Sequence, residues 1–165
     1  MIKIFGAKGY IKNVDTFLKE VKKFAEKNKI IIQVFNADKI FGKKHIISAY
    51  EHAKRARNNK TNTTNSLDME IMLYAAGERQ LKHAIPKIGV KQGDSNIGVV
   101  FIGKSNRLIK DFLKEMNLKR DDKVLEGNKN TLMEFGLTKK EIDTVTVEKY
   151  GDLILEKVAM VDIIK

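Results

Sequence analysis

Residues 67–89 read LDMEIMLYAAGERQLKHAIPKIG and join an apolar helix, a Gly-Glu-Arg-Gln break and a short basic helix. Leu67–Ala76 is apolar almost all round, which predicts a central helix of the fold. Ser66 is its expected N-cap, with an acidic residue close to capping-box spacing. Gln80–Ile88 predicts a second helix that ends at Gly89. The stretch has no nucleophile, metal-ligand spacing or phosphate loop, which favours binding over catalysis.

On either side of this stretch, short apolar runs alternate with helical patterns. The predicted elements are strands Ile2–Phe5, Ile30–Phe35 and Ile97–Ile102, and helices Val14–Lys27, Lys44–Asn58, Lys104–Asn117, Asn128–Phe135, Thr138–Val145 and Tyr150–Ile164. Gly6 and Gly9 predict a turn after the first strand, and the polar residues 59–65 predict the most flexible loop. The order predicts an α/β fold of the mixed α+β type, with a small central sheet covered by several helices. We expect a single domain over residues 1–165, with a helical C-terminal part.

The composition excludes several classes of protein. The chain has 165 residues and no Cys, so neither a disulfide framework nor a Cys-based zinc site is expected. Met1 leads directly into an alternating strand, and no apolar run is long enough to span a bilayer. We therefore expect a cytoplasmic protein with no signal peptide and no membrane contact, and we expect neither a cofactor nor a metal.

The charge of the chain is strongly positive and unevenly distributed. The formal net charge is +11, yet residues 126–165 hold six Lys against eight acidic residues. The first 125 residues therefore carry the whole positive excess. This favours a polyanionic partner, nucleic acid above all. The alternative is a Lys-rich composition that serves solubility.

Two basic segments are candidates for nucleic-acid contact. The first crowds the end of the helix before the polar loop, where the helix dipole offers an alternative reason for positive charge. The second joins basic residues to neutral hydrogen-bonding groups beside an apolar helix, which is typical of a single-strand pocket, with Tyr74 as a possible stacking surface. A solvated helix face is the alternative for this segment. The candidate residues are Lys54, Arg55, Arg57 and Lys60 in the first segment, and Tyr74, Arg79, Gln80, Lys82, His83, Lys87 and Lys91 in the second.

The end of the chain is the third candidate surface. Nine of the twelve residues from 153 to 164 are apolar and they surround the predicted helix, which favours a second buried face against a partner. A core helix of the same domain is the alternative. His45 and His52 lie seven residues apart, too far for a shared zinc ion on one helix, and are expected at the surface.

Several segments, taken in their order along the chain, resemble one known family. They are Ser48–Arg57, Glu70–Gln80, Ala84–Gly89, the Gly98–Ile102 strand and the apolar terminal helix. Together they resemble the smallest, kinase-binding and tRNA-recruiting subunit of the KEOPS complex (the TPRKB family), and Gly77–Gln80 is the most specific element. The Lys- and Ile-rich composition suggests an archaeal member.

The resemblance implies a non-catalytic regulatory subunit. Such a protein binds the small atypical kinase-ATPase subunit of KEOPS and meets the other KEOPS subunits indirectly. It is also expected to recruit tRNA, including the 3′ CCA end, to a complex that adds threonylcarbamoyl to an adenosine beside the anticodon. The residues expected to contact the kinase are Tyr150, Leu153, Ile154, Lys157, Val158 and Val161. The alternative is a free-standing RNA-processing or nucleotide-acting enzyme with a basic RNA-binding face, using His83 or Glu78 as acid–base groups.

Overall fold

A computed structural model describes residues 1–104 and 106–165, so Ser105, inside the predicted helix Lys104–Asn117, lies outside the described residues. The strands are β1 (Ile2–Ile11), β2 (Ile31–Asn36), β3 (Gly93–Ile102) and β4 (Lys119–Arg120). The α-helices are α1 (Val14–Lys27), α2 (Gly42–Asn58), α3 (Leu67–Ala76), α4 (Leu81–Ile88), α5 (Arg107–Glu115), α6 (Lys129–Phe135), α7 (Lys139–Ile142) and α8 (Tyr150–Ile164). The predicted mixed α/β fold is confirmed.

The four strands form one antiparallel sheet in the order β2-β3-β1-β4. β1 pairs with β3 along its whole length, from Ile2 opposite Ile102 to Ile11 opposite Gly93. The turn predicted at Gly6 and Gly9 is therefore wrong, because both residues continue β1. A Cβ on Gly6 would lie 2.5 Å from the carbonyl oxygen of Asp121, so these glycines allow another segment to cross the strand closely.

Helices cover both faces of the sheet. On one face α1 and α5 enclose an aromatic cluster, in which the Phe112 ring meets the rings of Phe5, Phe24 and Phe101 edge to face. On the other face α2, α3, α4, α6 and α8 form the larger core. The candidate surfaces all belong to this second, helical layer.

α3 is the centre of the helical layer, as predicted. Every residue from Glu70 to Ala76 is buried, and α3 packs against α2, α4, α8 and β2. Gly77 ends the helix in the left-handed conformation, with φ of 67°. Ser66 precedes the helix as its N-cap residue, but its side chain makes no capping hydrogen bond.

His45 lies inside this layer, so its predicted place at the surface is wrong. The Phe41 N–H donates to its Nδ1 at 3.0 Å, which leaves Nε2 to donate to the Ala75 carbonyl at 2.8 Å. Burial lowers the pKa of His45 from 6.5 to about 4, against the opposing effect of the hydrogen bond to Ala75. His45 is thus a neutral link between α2 and the last turn of α3.

Candidate partner and nucleic-acid surfaces

α8 has an inner face that belongs to the core of the domain. Ile154, Val158 and Val161 are each 0% exposed and pack with residues of α2 and α3. The prediction that these three residues contact a kinase is therefore wrong, because the helix buries them against its own domain. Sequence pattern alone could not separate the faces, since apolar residues surround α8.

The opposite side of α8 is largely apolar over its last two turns and open to solvent. Met160 is 40% exposed, Ile163 74% and Ile164 40%, and Ala159 is also exposed. We call these four residues the outer face of α8. Exposed apolar residues that cluster on one helix face are typical of a protein-binding surface.

The other predicted kinase contacts lie at the flanks of α8. Tyr150 and Leu153 are half-buried and pack against the core. Lys157 is also half-buried, and its Nζ lies 2.9 Å from a carboxylate oxygen of Glu141. These three residues keep part of their surface accessible, so a partner on the outer face could reach them.

The first basic segment is open to solvent in the structure. Lys54, Arg55, Arg57 and Lys60 are all exposed at the C-terminal end of α2. Lys60 adopts the left-handed conformation with φ of 58°, and the next residue returns a backbone hydrogen bond to Ala56 at 2.8 Å. The helix end is therefore closed by its own backbone, and its cations point away from the core.

The second basic segment is open except at one residue. Arg79, Gln80, Lys82, His83 and Lys91 are exposed on and beside α4. Since these residues follow α3 and the first segment precedes it, the two segments flank opposite ends of α3. A helix of this length spans about 15 Å, which sets the scale of the separation between the two segments.

Lys87 is half-buried and already has partners within the domain, so its contact with nucleic acid stays a prediction. Its Nζ lies 3.7 Å from a Glu78 carboxylate oxygen and 4.2 Å from the centre of the Phe135 ring. Burial lowers the pKa of Lys87, although the neighbouring Glu78 acts in the opposite direction. The ammonium group of Lys87 thus interacts with the Glu78 carboxylate and with the Phe135 ring of α6.

Tyr74 is also buried, so the prediction that it stacks on a base is wrong. Its ring stacks on His52 at 5.5 Å between centroids, and its hydroxyl donates to Asp162. Burial and this hydrogen bond raise the pKa of Tyr74. The residue is therefore part of the contact between α3 and α8.

An apolar groove lies beside α4 and was not predicted. Its volume is about 520 Å³, and it runs between α1, β2, α3 and α4. Val21, Ile32 and Met72 line its floor, while Leu18 and Ile85, 37% and 43% exposed, stand at its mouth. Its residues are scattered along four elements, so no local pattern could reveal it.

Within residues 1–104 and 106–165, no group of three or more His, Asp or Glu side chains is arranged to hold a metal ion. None of the helices in this part of the chain combines the length and apolar character needed to cross a membrane.

An exposed apolar helix face beside two basic segments is typical of a protein that binds other macromolecules. The chain belongs to the family described as kinase binding protein CGI-121, whose model matches residues 10–162. The predicted membership of a kinase-binding family is thus confirmed. The chain is also 29% identical over 138 residues to the regulatory protein Cgi121 of Methanocaldococcus jannaschii, covering 81% of this chain and 84% of that protein.

Proposed function

We propose that the protein is a non-catalytic regulatory subunit of a KEOPS complex, acting in the cytoplasm. It binds the small atypical kinase-ATPase subunit and recruits tRNA through its 3′ CCA end. Membership of a kinase-binding family supports the first activity. The excess of positive charge in the first 125 residues supports the second.

The outer face of α8 is the observation that carries the kinase-binding proposal. A terminal helix that buries one apolar face in its own domain and exposes another has a second face ready for a partner. Asp152 and Glu156 lie exposed at the N-terminal end of that face, so a partner with basic residues there would complement it. Tyr150, Leu153 and Lys157 would form the rim of the contact.

The test is the affinity of the purified chain for the kinase subunit, measured by isothermal titration calorimetry. We expect Met160→Asp together with Ile163→Asp to weaken binding at least about tenfold, because apolar residues at the centre of an interface carry much of its energy. Met133→Asp is the matched control, since Met133 is 55% exposed on α6. Equal affinities for both variants, with unfolding temperatures unchanged, would contradict the proposed surface.

The RNA-binding proposal uses the exposed residues of both basic segments. They are Lys54, Arg55, Arg57, Lys60, Arg79, Gln80, Lys82, His83 and Lys91. The apolar groove shares α4 with the second segment, and we propose that the unpaired bases of the CCA end lie in it. The described lining of the groove contains no aromatic side chain, so aliphatic and methionine side chains would hold the bases.

This proposal is tested with an intact tRNA and the same tRNA without CCA, each at two salt concentrations. We expect removal of CCA to weaken binding at both concentrations, because apolar contacts in the groove are not screened by salt. Ile85→Glu should abolish the difference between the two RNAs. Equal affinities that both collapse with salt would show counterion release alone and contradict the groove.

Charge reversal tests the basic segments separately. We expect Arg79, Lys82 and Lys91 changed together to Glu to reduce both the affinity and its dependence on salt. The control changes Lys110, Lys114 and Lys119 to Glu, which alters the net charge equally on α5 and β4, away from α4. Equal losses from both triple variants would contradict a localised site.

A free-standing RNA-processing enzyme would need His83 or Glu78 in an acid–base arrangement. His83 is exposed, and the carboxylate of Glu78 pairs with Lys87. We therefore propose no catalytic residue.

A further inference from the structure

A buried carboxylate joins the first basic segment to the end of α8. Glu70 on α3 is 0% exposed. It accepts hydrogen bonds from the backbone N–H groups of Thr63 and Thr64 at 3.1 and 2.9 Å, and from the Thr64 hydroxyl at 2.6 Å. These bonds anchor the loop that follows Lys60, which the sequence predicted to be the most flexible of the chain.

The second partner of the Glu70 carboxylate comes from the other end of the sequence. Lys165 Nζ, on a side chain only 9% exposed, lies 3.0 Å from Glu70 Oε2 and 4.6 Å from the centre of the Tyr74 ring. One carboxylate thus holds both the loop beside the basic segment and the residue that follows α8.

A parallel link runs through the last turn of α8. Asp162 accepts the hydroxyl hydrogen bond of Tyr74, and its other oxygen lies 2.7 Å from His52 Nδ1. The guanidinium of Arg55, a residue of the basic segment, lies 3.3 Å from the same nitrogen. The turn of α8 that presents Met160 and Ile163 is therefore bonded to α2 at His52, one helical turn before the cations proposed to meet RNA.

The Glu70 site is stable only when its partners are in place. Burial opposes ionisation of Glu70, but hydrogen bonds from Thr64, Lys165 and Thr63 outweigh it and hold the pKa below its usual range. Loss of one partner would leave a buried charge incompletely satisfied. A contact that restrains Lys165 therefore also restrains the Glu70 carboxylate, and with it the backbone of residues 63 and 64.

We propose that Glu70 is a positioning residue for the basic segment, and that through Lys165 it couples this segment to the outer face of α8. Kinase docking restrains the last turn of α8 and so further restrains the loop that Glu70 anchors, before RNA arrives. RNA then binds more tightly because less conformational entropy remains to be lost. By linkage, RNA must raise the affinity for the kinase by the same factor. The inference rests on the proposed function.

The test measures the affinity of the full chain for intact tRNA, alone and saturated with the kinase subunit. We expect the kinase to strengthen tRNA binding roughly five- to tenfold. Lys165→Met should remove most of this enhancement while leaving kinase affinity in place, because Lys165 lies outside the outer face. Any RNA contact made by the kinase itself persists in the variant, so the difference isolates the contribution of Lys165.

Two further variants separate coupling from loss of charge or fold. Lys140→Met removes one positive charge from an exposed position on α7 and should retain the full enhancement. Thr64→Val removes the hydroxyl bond to Glu70 together with the longer one to the Ser66 carbonyl, and it should lower the enhancement even if Lys165→Met proves unstable. Hydrogen exchange of the Thr63 and Thr64 amides should slow on kinase binding in the wild type and not in Lys165→Met.

The outcomes distinguish the coupling from the function on which it rests. Equal enhancement in the wild type, Lys165→Met and Thr64→Val, with unchanged amide exchange, would overturn the coupling and leave both binding activities standing. Failure of the wild type to bind kinase or tRNA would overturn the proposed function, and the coupling with it.

Discussion

α3 (Leu67–Ala76) and α8 (Tyr150–Ile164) are both apolar on nearly every side, but their surroundings differ. α3 lies between α2, α4, α8 and β2, so Glu70 to Ala76 are all buried. α8 lies at the edge of the same layer, where only Ile154, Val158 and Val161 are buried. A helix that is apolar all round is fully buried only where neighbours surround it, and α8 therefore keeps an uncovered apolar face.

The largest expected effect comes from placing a charge on the inner face of α8. We expect Val158→Asp to lower the free energy of unfolding by about 3–5 kcal/mol, because it buries a carboxylate without a partner. Ala159→Asp is the matched control, since the adjacent residue is exposed. Urea unfolding would measure both, and similar losses would show that the two faces of α8 are not distinct.

The next effect concerns the polar link that holds the end of α3. His45 is neutral in the folded protein with a pKa of about 4, against 6.5 in the unfolded chain. Between these values the unfolded chain binds the extra proton, so stability falls as pH falls from 6.5 towards 4, by about 3 kcal/mol in total. Urea unfolding at pH 7, 6 and 5 should show this slope in the wild type. A His45→Gln variant with the same slope would contradict it.

A smaller effect is expected where α3 ends against α8. Gly77→Ala should cost about 1–2 kcal/mol through its left-handed backbone, and more through crowding, since the added Cβ would lie 3.3 Å from the Lys157 carbonyl oxygen. Gly42→Ala isolates the backbone contribution, because Gly42 has φ of 77° and no neighbouring atom within 4 Å. Thermal unfolding should rank Gly77→Ala as the more damaging change, and the reverse order would argue against close packing of α8 on Gly77.

The smallest effect on stability is expected on the outer face of α8. Ile163→Ala should change the free energy of unfolding by no more than about 0.5 kcal/mol, whereas Ile154→Ala on the inner face should cost about 2–5 kcal/mol. Chemical unfolding of the two variants gives the direct comparison. A large loss for Ile163→Ala would mean that this face is already packed against the domain.

Much of the secondary structure was predictable because its signals are local. The bounds of α8 agree with the prediction, and α1 also matches, with the Asn13 side chain accepting the Thr16 N–H as its N-cap. Gly6 and Gly9 misled the prediction because glycine serves both turns and close chain crossings. The short strand β4 was missed, since two residues carry no periodic pattern.

The sequence predicted that basic and apolar surfaces exist, but not which residues of each segment are exposed. The exposed basic residues of α2 and α4 follow from charge alone, because Lys and Arg are rarely buried without partners. Tyr74 was assigned wrongly because its partners, His52 and Asp162, are reached only when separate helices pack. The groove between α1 and α4 could not be predicted either, because its lining residues come together only when separate elements pack.

Local pattern and composition were enough to predict the helices, most of the strands, the excess of positive charge and the resemblance to a kinase-binding family. Those properties depend on residues close together in the chain or on composition. The folded chain alone reveals which side of α8 is free, which cations pair within the domain, and that Glu70 joins the loop after the basic segment to Lys165. Those properties depend on which distant residues share a neighbourhood, and packing of the whole domain sets this.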